Sequence, residues 1–121
     1  MKFDSPPILI CVAMGWLTAV AGAAEPVDYL RDIKPILRER CFACHGALKQ
    51  KSGLRLDTAA LLRRGGDSGP VVVASNVVGS VLIERITSID DGQRMPAEGK
   101  PLTARQIALI KAWIEQGAKN N

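Results

Sequence analysis

Two cysteines three positions apart, with the chain's only histidine directly after the second, constrain this sequence more than any other feature: Cys41-Phe42-Ala43-Cys44-His45. The pattern is the attachment motif of haem c. Each thiol adds to one vinyl group on the porphyrin edge, and two intervening residues in a helical turn set the sulfurs that far apart. The imidazole next in sequence is then held beneath the iron. Two rival chemistries use similar spacing. A thioredoxin-like thiol pair starts a helix after a strand in a βαβ context, whereas here a helical pattern precedes the motif and no such unit follows. A structural zinc site needs four ligands, and no second Cys/His cluster exists to supply them. The bland reading of His45, an ordinary surface residue, leaves its position in the motif unexplained.

The 121 residues are 47% hydrophobic and 23% charged with a formal net charge of +4, which fits one globular domain and neither disorder nor a coiled coil. Residues 1–24 read as a secretory signal peptide. Lys2 lies in the n-region, Ile8 to Val20 is an uncharged apolar run, and Ala21-Gly22-Ala23-Ala24 is a small-residue cleavage tail. The run is shorter than the roughly 20 residues of a spanning helix; an uncleaved anchor is the alternative. Ile10 before Cys11 is too bulky for a lipoprotein signal. Residues 25–121 form the expected domain, and the expected location is periplasmic or otherwise exported.

Removing 24 of 121 residues leaves 97, with two cysteines and three aromatic residues, Tyr29, Phe42 and Trp113. A domain this small buries a modest share of its surface and often needs a staple or a bound group. A Cys41–Cys44 bridge would close too small a loop to constrain much. A large bound apolar ring would complete the core.

The expected fold class is all-α. Tyr29, Leu30, Ile33, Ile36 and Leu37 share a helical face, but Pro35 removes a donor there, so a short turn should precede a helix starting near Lys34 or Pro35. Asp57 can cap a second helix, Thr58 to Arg64, ended by Gly65. Gly65 to Pro70 reads as a turn cluster and Val71 to Val73 as a short extended run. Ser75 or Asn76 can start a third helix through about Ile86, and Thr87 to Leu102 reads as a loop. Thr103 with Gln106 predicts a capping box for the last helix, with Gly117 as its stop. Leu109, Trp113, Ile110, Ile114 and Ile107 fall in one arc of that helix, facing something large and apolar.

The sixth iron ligand follows by elimination. Met1 and Met14 belong to the leader, leaving Met95, fifty residues beyond His45. A methionine is usually core filling. This one lies in the polar run Asp90-Asp91-Gly92-Gln93-Arg94-Met95-Pro96, a poor place for a core residue and a good one for a thioether reaching over a haem face. Loop packing, or a lysine ligand instead, is the alternative. His/Met ligation fills both axial positions and raises the reduction potential relative to bis-nitrogen ligation. That favours a carrier or relay over a catalyst. Gly66-Asp67-Ser68-Gly69-Pro70 looks like the surroundings of a serine-protease nucleophile, but that chemistry requires a His base and the only His is adjacent to the haem cysteines, so a tight turn with φ > 0 glycines is the better reading.

The ordered motifs Asp32-Ile33-Lys34-Pro35-Ile36-Leu37, Cys41-Phe42-Ala43-Cys44-His45-Gly46, Lys51-Ser52-Gly53-Leu54-Arg55-Leu56-Asp57, Gly65-Gly66-Asp67-Ser68-Gly69-Pro70, Arg94-Met95-Pro96 and Trp113-Ile114-Glu115-Gln116-Gly117-Ala118 resemble the planctomycete-type cytochrome c domain over nearly all of residues 25–121. The resemblance implies a small class I-like cytochrome c fold, its N- and C-terminal helices packed around one covalently bound haem c. In that family the domain usually precedes large domains in one longer chain; the present sequence ends after the cytochrome motifs. Ala97 stands where the pattern leads one to expect a second proline. Arg55, Ser68 and Arg94 are candidates for the haem propionates, since arginine forms charge-assisted bonds with carboxylates; each reads equally as solvated surface. A backbone carbonyl is expected to orient His45 through its second ring nitrogen.

The expected function is one-electron transfer outside the cytoplasm by a non-enzymatic mono-haem protein. The donor and acceptor proteins are unspecified, and one of them could be a large exported enzyme. No nucleic-acid partner is expected, and a membrane enters only if the leader is retained. A haem-bearing sensor or docking module accessory to an enzyme is the rival. A peroxidase is disfavoured, because no histidine remains as a distal base.

Overall fold

The computed structural model describes Met1, Lys2, Pro7 and residues 25–121. Apart from those first three positions, the expected leader lies outside the described residues. All regular elements among the described residues are helical, with isolated bridges and no strand, as an all-α class requires. None of these helices is long and apolar enough to cross a membrane.

A π-helical turn, Tyr29–Ile33, runs into α1, Lys34–Arg40. Pro35 sits in the first turn of α1, where its missing N–H has no helical partner to lose. Asp28 accepts from the Arg31 N–H at 2.8 Å, and Asp32 accepts from the Asp28 N–H at 2.9 Å, a reciprocal cap on the turn. The π turn is wider than an α turn, so the face drawn for a 3.6-residue helix does not hold through it. Tyr29, Ile33, Ile36 and Leu37 are buried, but Leu30 is 58% exposed.

Helix α2 is Ala59–Arg64. Thr58 caps it, accepting from Leu61, because the expected cap, Asp57, is occupied by Arg55. Gly65 (φ +76) ends it, and a Cβ there would stand 2.2 Å from the Gly69 carbonyl oxygen, so the Gly65 to Gly69 turn requires glycine.

Helix α3 is Val81–Thr87, shorter than expected. Asn76 accepts from the Gly79 N–H, while the buried Ser80 hydroxyl donates to the Asn76 carbonyl and accepts from the Val73 N–H. These side chains satisfy the backbone in a turn that competes with helix over residues 76–80.

Helix α4, Ala104–Glu115, has the expected Thr103/Gln106 capping box. Its Ile110, Trp113 and Ile114 are buried, with Ile107 and Leu109 half-buried. Trp113 lies 5.6 Å from Tyr29 between ring centroids, tilted 31°, and its indole N–H donates to the Lys119 carbonyl. Gln116 accepts from the Val27 N–H, and Asn121 from that of Tyr29. The two ends of the described domain are thereby joined, leaving the middle of the chain to build a cavity.

Candidate functional site

Residues 41–45 form one hydrogen-bonded turn at the end of α1. The Cys41 N–H donates to Leu37 at 2.8 Å, and the His45 N–H donates to the Cys41 carbonyl at 2.9 Å. This helical return is the conformation the attachment chemistry asks for, and it keeps Cys41, Cys44 and His45 on successive positions of a single turn. The segment after the turn is pinned back on it. Lys51 donates to the Cys44 carbonyl at 3.0 Å, Leu56 donates to the His45 carbonyl at 2.8 Å, and Gly46 donates to Lys49 at 2.8 Å.

The turn forms part of the wall of a cavity of about 850 Å³, within the roughly 300–1,000 Å³ range of small-molecule and cofactor sites. Cys41, Cys44, His45 and Met95 all line it, together with apolar Leu54, Leu56, Val71, Val81, Leu82 and Ile86. Two thiols, an imidazole and a thioether on an otherwise largely apolar wall fit a covalently held haem. A soft sulfur and a nitrogen donor suit its iron, and the aliphatic side chains suit its ring. A metal bound by carboxylates does not fit: among the described residues, no three of His, Cys, Asp and Glu cluster to hold an ion.

Burial pushes the Cys41 thiol up to about 11, against a smaller opposing effect of Arg40. A disulfide-exchange centre needs a thiolate near neutral pH, and the environment of Cys41 works against one. The ring of His45 makes no hydrogen bond among the described residues, and its Nδ1 is buried without a partner. The orienting carbonyl expected for it is not paired with that nitrogen among the described residues. The turn that carries the ring sets its position.

Met95 is half-buried in the loop between α3 and α4, and its N–H donates to the Arg85 carbonyl at 2.9 Å. The Arg85 guanidinium donates to Gln93 in the same loop. At the far end, Arg40 donates to the carbonyls of Lys100 and Pro101. The loop bearing the thioether is therefore fastened to α3 on one side and to the residue preceding Cys41 on the other.

The candidate propionate partners are placed unequally. Ser68 lines the cavity. Arg55 does not; it forms an ion pair with Asp57 at 2.6 Å. Arg94 does not line the cavity either. It pairs with Asp91 at 2.7 Å, leaving its Nε buried and unpartnered. The cations on the wall are Arg40, Lys51, Arg85 and Lys100, beside the acidic Glu39, Asp67 and Glu98. Sequence reasoning missed those four. Adjacency to Cys41 was a signal for Arg40, whereas Arg85 and Lys100 reach the wall only through the tertiary fold.

Residues 41–99 match a protein-family model described as planctomycete cytochrome C. No curated protein and no solved structure matches the chain.

Proposed function

We propose that this chain carries a planctomycete-type cytochrome c domain, a family that implies haem c, and that it is an exported mono-haem electron carrier whose iron is held by His45 and Met95. The single observation supporting this most strongly is that Cys41, Cys44, His45 and Met95, drawn from two segments fifty residues apart, line one largely apolar cavity. The fold around the cofactor is class I-like, with the N-terminal π-helical turn packed on α4 through Tyr29 and Trp113.

A haem bound there supplies a one-electron iron couple. The chain's own residues do the rest. Cys41 and Cys44 anchor the group, so it is retained through redox cycling. His45 and Met95 would be the two protein ligands of its iron, and with both bound no open position would remain for oxygen or substrates. Leu54, Leu56, Val71, Val81, Leu82 and Ile86 exclude water from the ring, and Lys51 and Lys100 offer charge to its carboxylates. The loop fastened by Arg85 and Arg40 would hold Met95 in one place in both oxidation states of a bound haem, which would keep reorganisation on transfer small. The donor and acceptor lie outside the cytoplasm, and a large exported enzyme is one fitting partner.

The test is the Met95→Ala protein carrying its haem. It should lose the weak far-red sulfur-to-iron band of the oxidised form and show a lower reduction potential. An unchanged spectrum and potential would remove Met95 from the iron and favour the sensor reading, in which the sixth position binds external ligands.

A further inference from the structure

We infer that Arg85 is a positioning residue for Met95, holding the thioether on the cavity wall through the backbone and side chain of one residue. The inference rests on the reading of Met95 as iron ligand and adds to it what decides whether that ligand stays bound.

A long loop without regular structure opens locally at little cost, and residues 97–100 directly after Met95 and Pro96 are exposed. A thioether in such a loop competes poorly with external ligands unless something fixes its backbone. Arg85 lies in the last turn of α3, where helix carbonyls have no intrahelical partner. Its carbonyl takes the Met95 N–H at 2.9 Å. Its guanidinium turns to the same loop and donates to both the carbonyl and the Oε1 of Gln93, two residues earlier. Gripping residues 93 and 95 from one point sets both the place and the direction of the intervening backbone. The Asp90 carbonyl closes the turn behind them, accepting from Gln93 and Arg94 at 2.9 and 2.8 Å. Arg85 and Met95 both line the cavity, so this clamp acts at the wall itself. The bonds from the guanidinium are charge-assisted, the stronger kind.

The experiment titrates the oxidised haem-loaded protein with imidazole, following loss of the far-red band, in wild type, Arg85→Met, Arg85→Lys, Gln93→Leu and the Arg85→Met/Gln93→Leu double variant. Arg85→Met and Gln93→Leu should each bind imidazole about tenfold more tightly, the scale of one such hydrogen bond lost. The double variant should match Arg85→Met, since Gln93→Leu removes only the side-chain half of the contact that Arg85→Met removes entirely. Arg85→Lys, which keeps charge and a donor, should fall between wild type and Arg85→Met. Haem content and helicity should not change. Gln93 is exposed, so its variant carries the test if Arg85→Met does not fold. A far-red band in wild type with wild-type imidazole affinity in both single variants, or fully additive effects, overturns the role of Arg85 alone. A wild type without the band, matched by Met95→Ala in imidazole affinity, overturns the His/Met reading and this inference with it.

Discussion

Gly46 is packed against the carbonyl of Phe42 so closely that a Cβ at Gly46 would stand 2.4 Å from that oxygen. Gly46 follows His45 directly, and Phe42 lies between the cysteines. The main chain therefore crosses its own attachment turn with room for no side chain.

Gly46→Ala should accordingly disturb the site as well as the fold. The clash is with backbone, which cannot rotate away, and overpacking of this kind costs about 1–3 kcal/mol. The expected outcome is lower yield of haem-loaded protein and a denaturation midpoint shifted downward. A variant with wild-type loading and stability would show that the turn can relax.

Removing one anchor should be visible spectroscopically. Cys44→Ala leaves a single thiol on the turn, so one vinyl group stays conjugated with the ring. The reduced pyridine complex of the variant should absorb at longer wavelength than that of wild type. An identical absorption would mean that Cys44 carries no thioether.

Trp113 joins the two ends of the domain, buried against Tyr29 and donating to the Lys119 carbonyl. Trp113→Ala should destabilise by about 3–5 kcal/mol, a large part of the typical 5–15 kcal/mol total. Trp113→Phe keeps a ring against Tyr29 but loses the indole donor and part of the buried ring volume, so it should cost less than Trp113→Ala yet more than the roughly 1 kcal/mol of one hydrogen bond. Denaturant titration distinguishes the two.

The terminal helix was legible in the sequence because its signals are local. The Thr103/Gln106 box spans three residues, and the buried positions of α4 follow a regular period. The run Cys41 to His45 was singled out by its local spacing and Met95 by elimination of the methionines in the expected leader, and the fold brings Cys41, Cys44, His45 and Met95 to one cavity. What was missed depends on partners remote in sequence or on side chains competing with the backbone. Asp57 is a good cap in isolation, but Arg55 holds it and Thr58 takes over. Ser75 and Asn76 carry helix-start chemistry, yet Asn76 and Ser80 close a turn that delays α3 to Val81. Leu30 faces solvent because the first turn is π-helical. The fastening of the Met95 loop by Arg40 and Arg85 spans stretches that no sequence period reports.

Acid should loosen the N-terminal turn. The hydrogen bond from Arg31, with a second from the Asp28 N–H, holds Asp32 at about 2, below its ordinary 3.8. Asp57 is lowered in the same direction, chiefly by its bond from Arg55. A carboxylate with a depressed folded value contributes stability above its unfolded value, and that contribution is lost as pH falls through the folded one. The melting temperature should therefore fall between pH 4 and pH 2, a window set by the Asp32 values. Asp32→Asn should flatten that fall while melting lower than wild type at neutral pH. Parallel pH profiles for the two proteins would contradict the assignment.

The most direct test of the central claim is the visible spectrum of the protein from a host with c-type haem maturation, oxidised and then reduced, with the haem checked for retention after denaturation. One haem that survives denaturation, a sharp reduced α-band and a weak far-red band in the oxidised form are the predicted result. Absence of covalent haem would contradict the account outright, leaving Cys41 and Cys44 as a thiol pair; covalent haem without the far-red band would contradict the assignment of Met95.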